Sequence, residues 1–446
     1  MLESLPGFRE FYPEACSVRN HLMRLWRQTA NRFGFQEFDA PTLEPLELYT
    51  EKSGPEIATQ LFAFVDRGDR SVALRPEMTP RLAVMVGAKA QSLRRPLKWF
   101  SIGEQFRFER PQKGRLRSFY QFNADILGES GPGADAEIIA LSVQLFSAFG
   151  LSSEDIVVRL SDRVLWLDYL GSYGLEGEVV SAVLQIIDKI EREDREKILV
   201  DLAVHLGDKA EDFLSKVDRL LQVRTLADLK AFMSDALETR TLASIEARLE
   251  DWDALLSYLN AAGLGSYLCI DLGIVRGLAY YTGFVFEIFE RRGKSRALAG
   301  GGRYDHLVKK LGGPDFPAVG VGVGDVTLTD LLKEKKLLPA YITAPDFYVI
   351  IGGEAERMTA LADIALMRRS GFAVEYPLKA VSFSKQFKLA HQWGARFALV
   401  YGSKELGEEK VKVYEVATRT EKLFDRAQLI PYLSALLEAG TLEDEV

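Results

Sequence analysis

Only two cysteines, Cys16 and Cys269, occur in 446 residues. That excludes a disulfide framework and a cysteine zinc cluster, and it points to a reducing compartment. No apolar run approaches the roughly 20 residues needed to cross a bilayer, so no membrane association is expected. The opening residues MLESLPGFREFYPEA lack the basic and apolar regions of a secretory signal, and the expected location is the cytoplasm. Internal repeats and low-complexity tracts are absent. A cationic excess is absent too: the net charge of −8 argues against a general nucleic-acid binder. It leaves room for an RNA partner, because a local basic patch can supply the phosphate contacts.

What is present is an ordinary globular composition, 47% hydrophobic and 27% charged, in a chain long enough for two or three domains. Apolar spacing predicts a helix over about 13–33, capped by Gly34, followed by a short strand FQEFDAP over 35–41. A strand SVALR and a helix over 80–90 come next. From Trp99 the pattern is strand, turn, strand, then a helix over about 135–148. Residues of about 165–265 contain no proline and keep helical periodicity, which predicts an all-helical insertion. Strand character returns in SYLCIDLGIV, GLAYYTGFVFEIFE and PAVGVGVGDV. A lysine-rich linker covers 333–344, and from Pro345 alternating β and α segments predict a small α/β domain with a largely parallel sheet.

The densest chemistry lies in RFERPQKGRLR, residues 107–117. Arg107, Arg110, Lys113, Arg115 and Arg117 surround Glu109 in a glycine-containing turn between strands. Guanidinium groups bind phosphate oxygens bidentately, so such a loop suits a polyphosphate; the bland alternative is a solvated charged hairpin. Strand alternation puts Phe119, Gln121, Asn123 and Asp125 on one face and Tyr120, Phe122, Ala124 and Ile126 on the other. The first face suits a wet pocket better than a core: Phe119 can stack on a purine, and Gln121 and Asp125 can hold a polar, cationic ligand.

Three further clusters are weaker alone. LRPEMTP puts Glu77 and Thr79 where a strand gives way to a helix, where Glu77 would also favour the helix dipole. VRGLAYYTG sets Arg276, Tyr280 and Tyr281 beside glycines, and an arginine in an apolar strand needs an anionic partner, structural or substrate. GGGRYD and AVGVGVG carry glycine at alternate positions, which allows close approach of a ligand or backbone but matches neither a phosphate-binding loop nor a dinucleotide fingerprint.

Taken in order, these segments resemble the histidyl-tRNA synthetases, a family within the second class of aminoacyl-tRNA synthetases. RFERPQKGRLRSFYQ resembles the second signature of the class, IVRGLAYYTGFVFE the histidine-specific strand, and SFSKQFKLAHQWGARFALVYG the C-terminal anticodon-binding domain. The resemblance implies an α+β catalytic domain with an antiparallel sheet over 1–332, a helical insertion over about 165–265, a linker over 333–344 and an anticodon-binding domain over 345–446. It implies a homodimer formed through the N-terminal helix and the strand ending at Pro41. The implied substrates are histidine, its tRNA and ATP with Mg²⁺, and no tightly held metal is implied.

Residue by residue, Glu77 and Thr79 match histidine-binding positions. Gln121 and Asp125 match contacts to the amino group and imidazole, and Arg276, Tyr280 and Tyr281 match the rest of that pocket. Arg107 matches the arginine on the reacting carboxylate and α-phosphate, and with Arg276 is the candidate for catalysis. Glu109, Arg115 and Phe119 match ATP contacts. The third signature departs from the family: Gly324-Asp325-Val326-Thr327 lacks its usual arginine. Ala279 stands where Asp is common, and Asp125 where Glu is common. These departures keep two rivals open: a catalytically silent paralogue such as the regulatory subunit of ATP phosphoribosyltransferase, and a pure RNA-binding protein.

Overall fold

The computed structural model describes residues 3–50, 60–190, 193–236, 239–275, 281–293, 296–341, 344–440 and 442. The chain divides into two compact units, Met1–Pro339 and Ala340–Val446.

The first unit is built on an eight-stranded mixed sheet. In spatial order its strands are Gln36–Glu37, Leu97–Phe106, Ser118–Leu127, Ala318–Gly324, Ala299–Arg303, Phe284–Glu290, Ile156–Asp162 and Leu268–Ile270. The inner strands pair antiparallel, and each outer strand runs parallel to its neighbour. Alternation assigns the two faces. Phe122, Ala124 and Ile126 point the same way as Val319, Val321 and Val323, and join one buried cluster with Trp26 and Ile139. Those two residues belong to helices Pro13–Arg32 and Pro132–Ser147. These two helices cover one face; on the other, Leu82, Ala83 and Val86 of helix Thr79–Lys89 pack on Leu97, Leu127 and Val285, beside the polar stretch that carries Gln121, Asn123 and Asp125.

The segment FQEFDAP contributes only Gln36–Glu37 to the sheet. Arg75 interrupts the pairing: its Nη1 donates to Ala40 O at 2.7 Å and meets Asp39 at 3.4 Å, and Pro41 has no N–H to offer the ladder. A separate three-stranded sheet, Leu43–Pro45, Ser71–Leu74 and Ala63–Val65, carries that loop.

Helices Arg163–Gly171, Glu178–Ile187, Arg195–Leu206, Ala210–Leu220, Leu226–Ala236 and Thr239–Ala261 make up the insertion. Buried Asp162 fastens it to the sheet. Its carboxylate accepts from Val164 N at 2.9 Å, Arg248 Nε at 2.6 Å and Trp252 Nε1 at 2.9 Å, which caps the first of these helices and grips the last. Helix Asp325–Glu334 runs into the segment read as linker, and Leu337 and Leu338 pack on the core of the first unit. Apolar side chains thus hold residues up to Pro339 to that unit.

The second unit has a five-stranded sheet in the order Val374–Glu375, Phe347–Ile351, Phe397–Tyr401, Lys410–Glu415, Glu421–Asp425. The expected largely parallel sheet is half so. The first three strands are parallel, and the last two form an antiparallel extension. The outermost, EKLFD, is a charged edge strand with only Phe424 buried, so no apolar alternation announces it. Phe347, Val349 and Ile351 face one buried cluster, and Tyr348 and Ile350 another. Strands buried on both faces read as continuous apolar runs, which is why FYVII and FALVY stand out in the sequence.

Candidate active site

The polar face of the large sheet is shaped by glycine. Gly320 pairs with Asp125 and Gly322 with Asn123 across neighbouring strands. A Cβ on Gly320 would stand 1.9 Å from Asp125 Oδ1, and one on Gly322 would stand 2.3 Å from Gln121 Nε2. The alternating glycines therefore make room for these two side chains, which lie across the neighbouring strand. Gly320→Ala is expected to displace Asp125 and cost about 1–3 kcal/mol of stability by overpacking. A melting temperature equal to that of the unmodified chain would contradict this packing.

Asp125 is 2% exposed, and its Oδ1 accepts from Tyr304 Oη at 2.5 Å. Burial pushes its carboxyl up to about 7; the Tyr304 hydrogen bond opposes the shift and the charge of Glu77 adds to it. Oδ2 has no partner among the described residues, and neither do Asn123 Oδ1 and Gln121 Oε1. Buried acceptors without partners are costly unless a ligand or water completes them. Tyr281 lies against the same place: a Cβ on Gly302, which pairs with Gly320, would stand 2.9 Å from Tyr281 Cε1. Tyr281 and Tyr304 share one buried cluster.

Glu77 and Thr79, 7% and 9% exposed, sit at the entrance of helix Thr79–Lys89. Arg75 fixes this turn to the sheet. Its guanidinium fills the space above Gly103, its Nε donates to Glu104 O at 3.0 Å, and Phe106 N donates to Arg75 O at 2.9 Å. Arg107 Nε closes the turn on Pro76 O at 3.1 Å.

The cationic hairpin is closed by Gln112 and Arg115, which exchange backbone hydrogen bonds around Gly114 at φ +74°. Its cations separate by role. The Arg107 guanidinium lies 5.2 Å from the Phe119 ring, and Arg115 pairs with Glu109 at 2.6 Å. Arg117 instead turns to the Phe108 ring at 4.5 Å, and Arg110 and Lys113 face solvent. Arg107, Glu109, Arg115, Phe119 and Gln121 line a cavity of about 820 Å³, floored by Gly300, Gly322 and Gly324. Arg159, Asp188, Asp271, Glu287 and Arg296 form its remaining charged lining.

The expected nucleotide residues thus share one cavity, and Gln121 links it to the buried Glu77–Asp125 region. Thr79, Glu77, Asp125 and Tyr281 lie outside that cavity's lining. Arg276, Tyr280 and Ala279 lie outside the described residues. Tyr304 and the far-wall groups carry no role in the sequence reading. The one available signal for Tyr304 was its place after the glycine run.

The family model described as "Histidyl-tRNA synthetase" matches residues 7–325, and the one described as "Anticodon binding domain" matches residues 346–436. A histidine–tRNA ligase of Opitutus terrae is 55% identical over 427 residues, covering 96% of this chain and 97% of that protein. The chloroplastic/mitochondrial histidine–tRNA ligase of Arabidopsis thaliana is 38% identical, over 91% of this chain and 82% of its own. The crystal structure of histidyl-tRNA synthetase from Nostoc shares the fold at a TM-score of 0.78 and 21% identity, covering 98% of this chain and 99% of that one. With a catalytic-domain match that includes the cationic hairpin and the glycine strands, and an anticodon-domain match behind it, the chain belongs to the histidyl-tRNA synthetase family.

Proposed function

We propose that the chain is a histidine–tRNA ligase, which activates histidine with ATP and transfers it to tRNA(His). The observation that carries this reading is the ligase relative at 55% identity across both units, together with a cavity whose cations suit a polyphosphate. The silent-paralogue rival leaves unexplained the anticodon-binding domain matched over 346–436, and the RNA-binder rival the cavity with buried acceptors on Gln121 and Asp125 beside it.

In the first step a carboxylate oxygen of histidine attacks the α-phosphorus of ATP. The bond to the bridging oxygen breaks, and pyrophosphate leaves with the electron pair. The carboxylate is already nucleophilic at neutral pH, so the protein supplies alignment and charge neutralisation. Arg107 and Arg276 are assigned to the reacting carboxylate and α-phosphate, and Glu109, Arg115 and Phe119 to the nucleotide. In the second step a terminal ribose hydroxyl of tRNA attacks the carbonyl of the mixed anhydride, its proton passes to a phosphate oxygen of the adenylate, and AMP leaves with the electron pair of the broken anhydride bond. Class II synthetases use ATP with Mg²⁺, which neutralises the polyphosphate. Among the described residues no group of three or more His, Cys, Asp or Glu is gathered, and Asp271 and Glu287 are carboxylates lining the cavity.

Glu77, Thr79, Gln121, Asp125, Tyr280 and Tyr281 are assigned to histidine. Unpaired acceptors reject a ligand that lacks matching donors, which is how a polar pocket achieves large discrimination. Asp125, titrating near 7, gives this a pH signature. Below that pH its Oδ2 carries a proton and ceases to accept from a ring N–H, so the KM for histidine should rise as pH falls through 7. In Asp125→Asn the residual inflection should be that of free histidine alone; an unchanged profile would show that Asp125 does not titrate against the ligand.

The first unit, Met1–Pro339, is proposed for catalysis and the second, Ala340–Val446, for anticodon binding. The active form is proposed to be a cytoplasmic homodimer. No described helix is long and apolar enough to cross a membrane. The test is acylation of a tRNA(His) transcript with labelled histidine. Charged tRNA is expected, and adenylate formation without charging would refute the second step.

A further inference from the structure

Residues ahead of helix Pro13–Arg32 lie across the start of strand Ser118–Leu127, where the cationic hairpin rejoins the sheet. Gly7 O accepts from two successive amides, Arg117 N at 3.0 Å and Ser118 N at 3.2 Å. Glycine permits this approach: its φ is +86°, and a Cβ there would stand 2.9 Å from Arg117 Cγ. Two residues on, Arg9 Nη2 meets Asp325 Oδ2 at 2.8 Å. Asp325 is 3% exposed, and its Oδ1 accepts from Tyr120 N at 3.0 Å. Rings continue the contact, with Phe8 5.8 Å from Phe62 and Phe11 6.0 Å from Tyr120.

Phe119 sits between the two anchored amides, those of Ser118 and Tyr120. Its ring lines the large cavity and lies 5.2 Å from the Arg107 guanidinium. Asp325 follows Gly324 directly, and Gly324, Val326 and Thr327 line the same cavity. One carboxylate thereby joins the N-terminal segment, the strand that carries Phe119 and the helix start beside the cavity.

A buried ion pair is poor evidence for net stability, since desolvation offsets its attraction; its use here is geometric. We propose that Arg9 and Asp325 are positioning residues for ATP: their ion pair, with the Gly7 carbonyl, holds Phe119 in register with the nucleotide. This rests on the reading of the large cavity as the ATP site. The Gly324-Asp325 departure from the family's third signature then has a structural use of its own.

The test is pyrophosphate–ATP exchange on the full chain, with ATP and histidine varied separately. Arg9→Gln and Asp325→Asn should each raise the KM for ATP about tenfold and leave the KM for histidine within about twofold. The double variant should be no worse than the worse single, because both changes break one linkage. Arg9→Lys, which keeps the charge, should stay within about threefold of the unmodified chain, and it decides the matter together with Arg9→Gln if Asp325→Asn does not fold. The positioning role is overturned if kcat and melting temperature fall together while the KM for ATP stays put, or if the two single effects add. Absence of exchange in the unmodified chain would remove the ATP-site reading itself and this role with it.

Discussion

Arg107→Ala should lower the rate of histidine adenylation by about 10²–10³, the usual cost of removing one preorganised donor to developing negative charge. The side chain is held at both ends of its task. Its Nε donates to Pro76 O at 3.1 Å, and its guanidinium lies 5.2 Å from the Phe119 ring at the cavity wall. A group fixed in this way needs no reorganisation when charge moves onto the α-phosphate oxygens. The loss should therefore fall mainly on kcat, with a smaller rise in the KM for ATP. Arg107→Lys keeps the charge but loses the planar fork and should recover only part of the rate. Single-turnover adenylation measured by rapid quench separates the two effects. An unchanged rate in Arg107→Ala would reduce the residue to a scaffold for the turn at Pro76.

Ending the chain at Pro339 should leave histidine-dependent exchange within a few-fold of the full protein and lower tRNA charging by at least about a hundredfold, or about 2.7 kcal/mol. The second unit has its own buried clusters on both faces of strand Phe347–Ile351, and Gln386 completes that strand by exchanging two 2.8 Å hydrogen bonds with Ile351. Lys385 and Lys388 are exposed on helix Phe383–Gln392, and Lys379 is exposed in the segment before it. They are proposed to meet tRNA phosphates, so the comparison must be made at fixed salt. The cut belongs after Pro339 because Leu337 and Leu338 pack on the core of the first unit. Undiminished charging by the shortened chain would refute an RNA-reading role for the second unit.

Periodicity made part of this site legible in advance. The alternation of Gln121, Asn123 and Asp125 with Phe122, Ala124 and Ile126 separated pocket from core, and the glycine-containing cationic turn pointed to residues that line the large cavity. Pairings between distant segments left no local trace. The Tyr304–Asp125 hydrogen bond spans 179 residues, and nothing near either residue announces it. Arg75 read as part of a strand end, yet it anchors the turn carrying Glu77. The glycines at 320 and 322 suggested close approach but not by what; the side chains of Asp125 and Gln121 fill the space. Asp325 had no role of its own in a signature that lacks its arginine, and the structure gives it to Arg9 and Tyr120. The edge strand Glu421–Asp425 escaped because pairing, not burial, defines it.

Histidine-dependent exchange of labelled pyrophosphate into ATP, run with each of the twenty amino acids and Mg²⁺ on the purified full chain, tests the central claim most directly. The account predicts exchange with histidine and none above background with the other nineteen. Folded protein that exchanges with no amino acid, or that prefers another one, would contradict it.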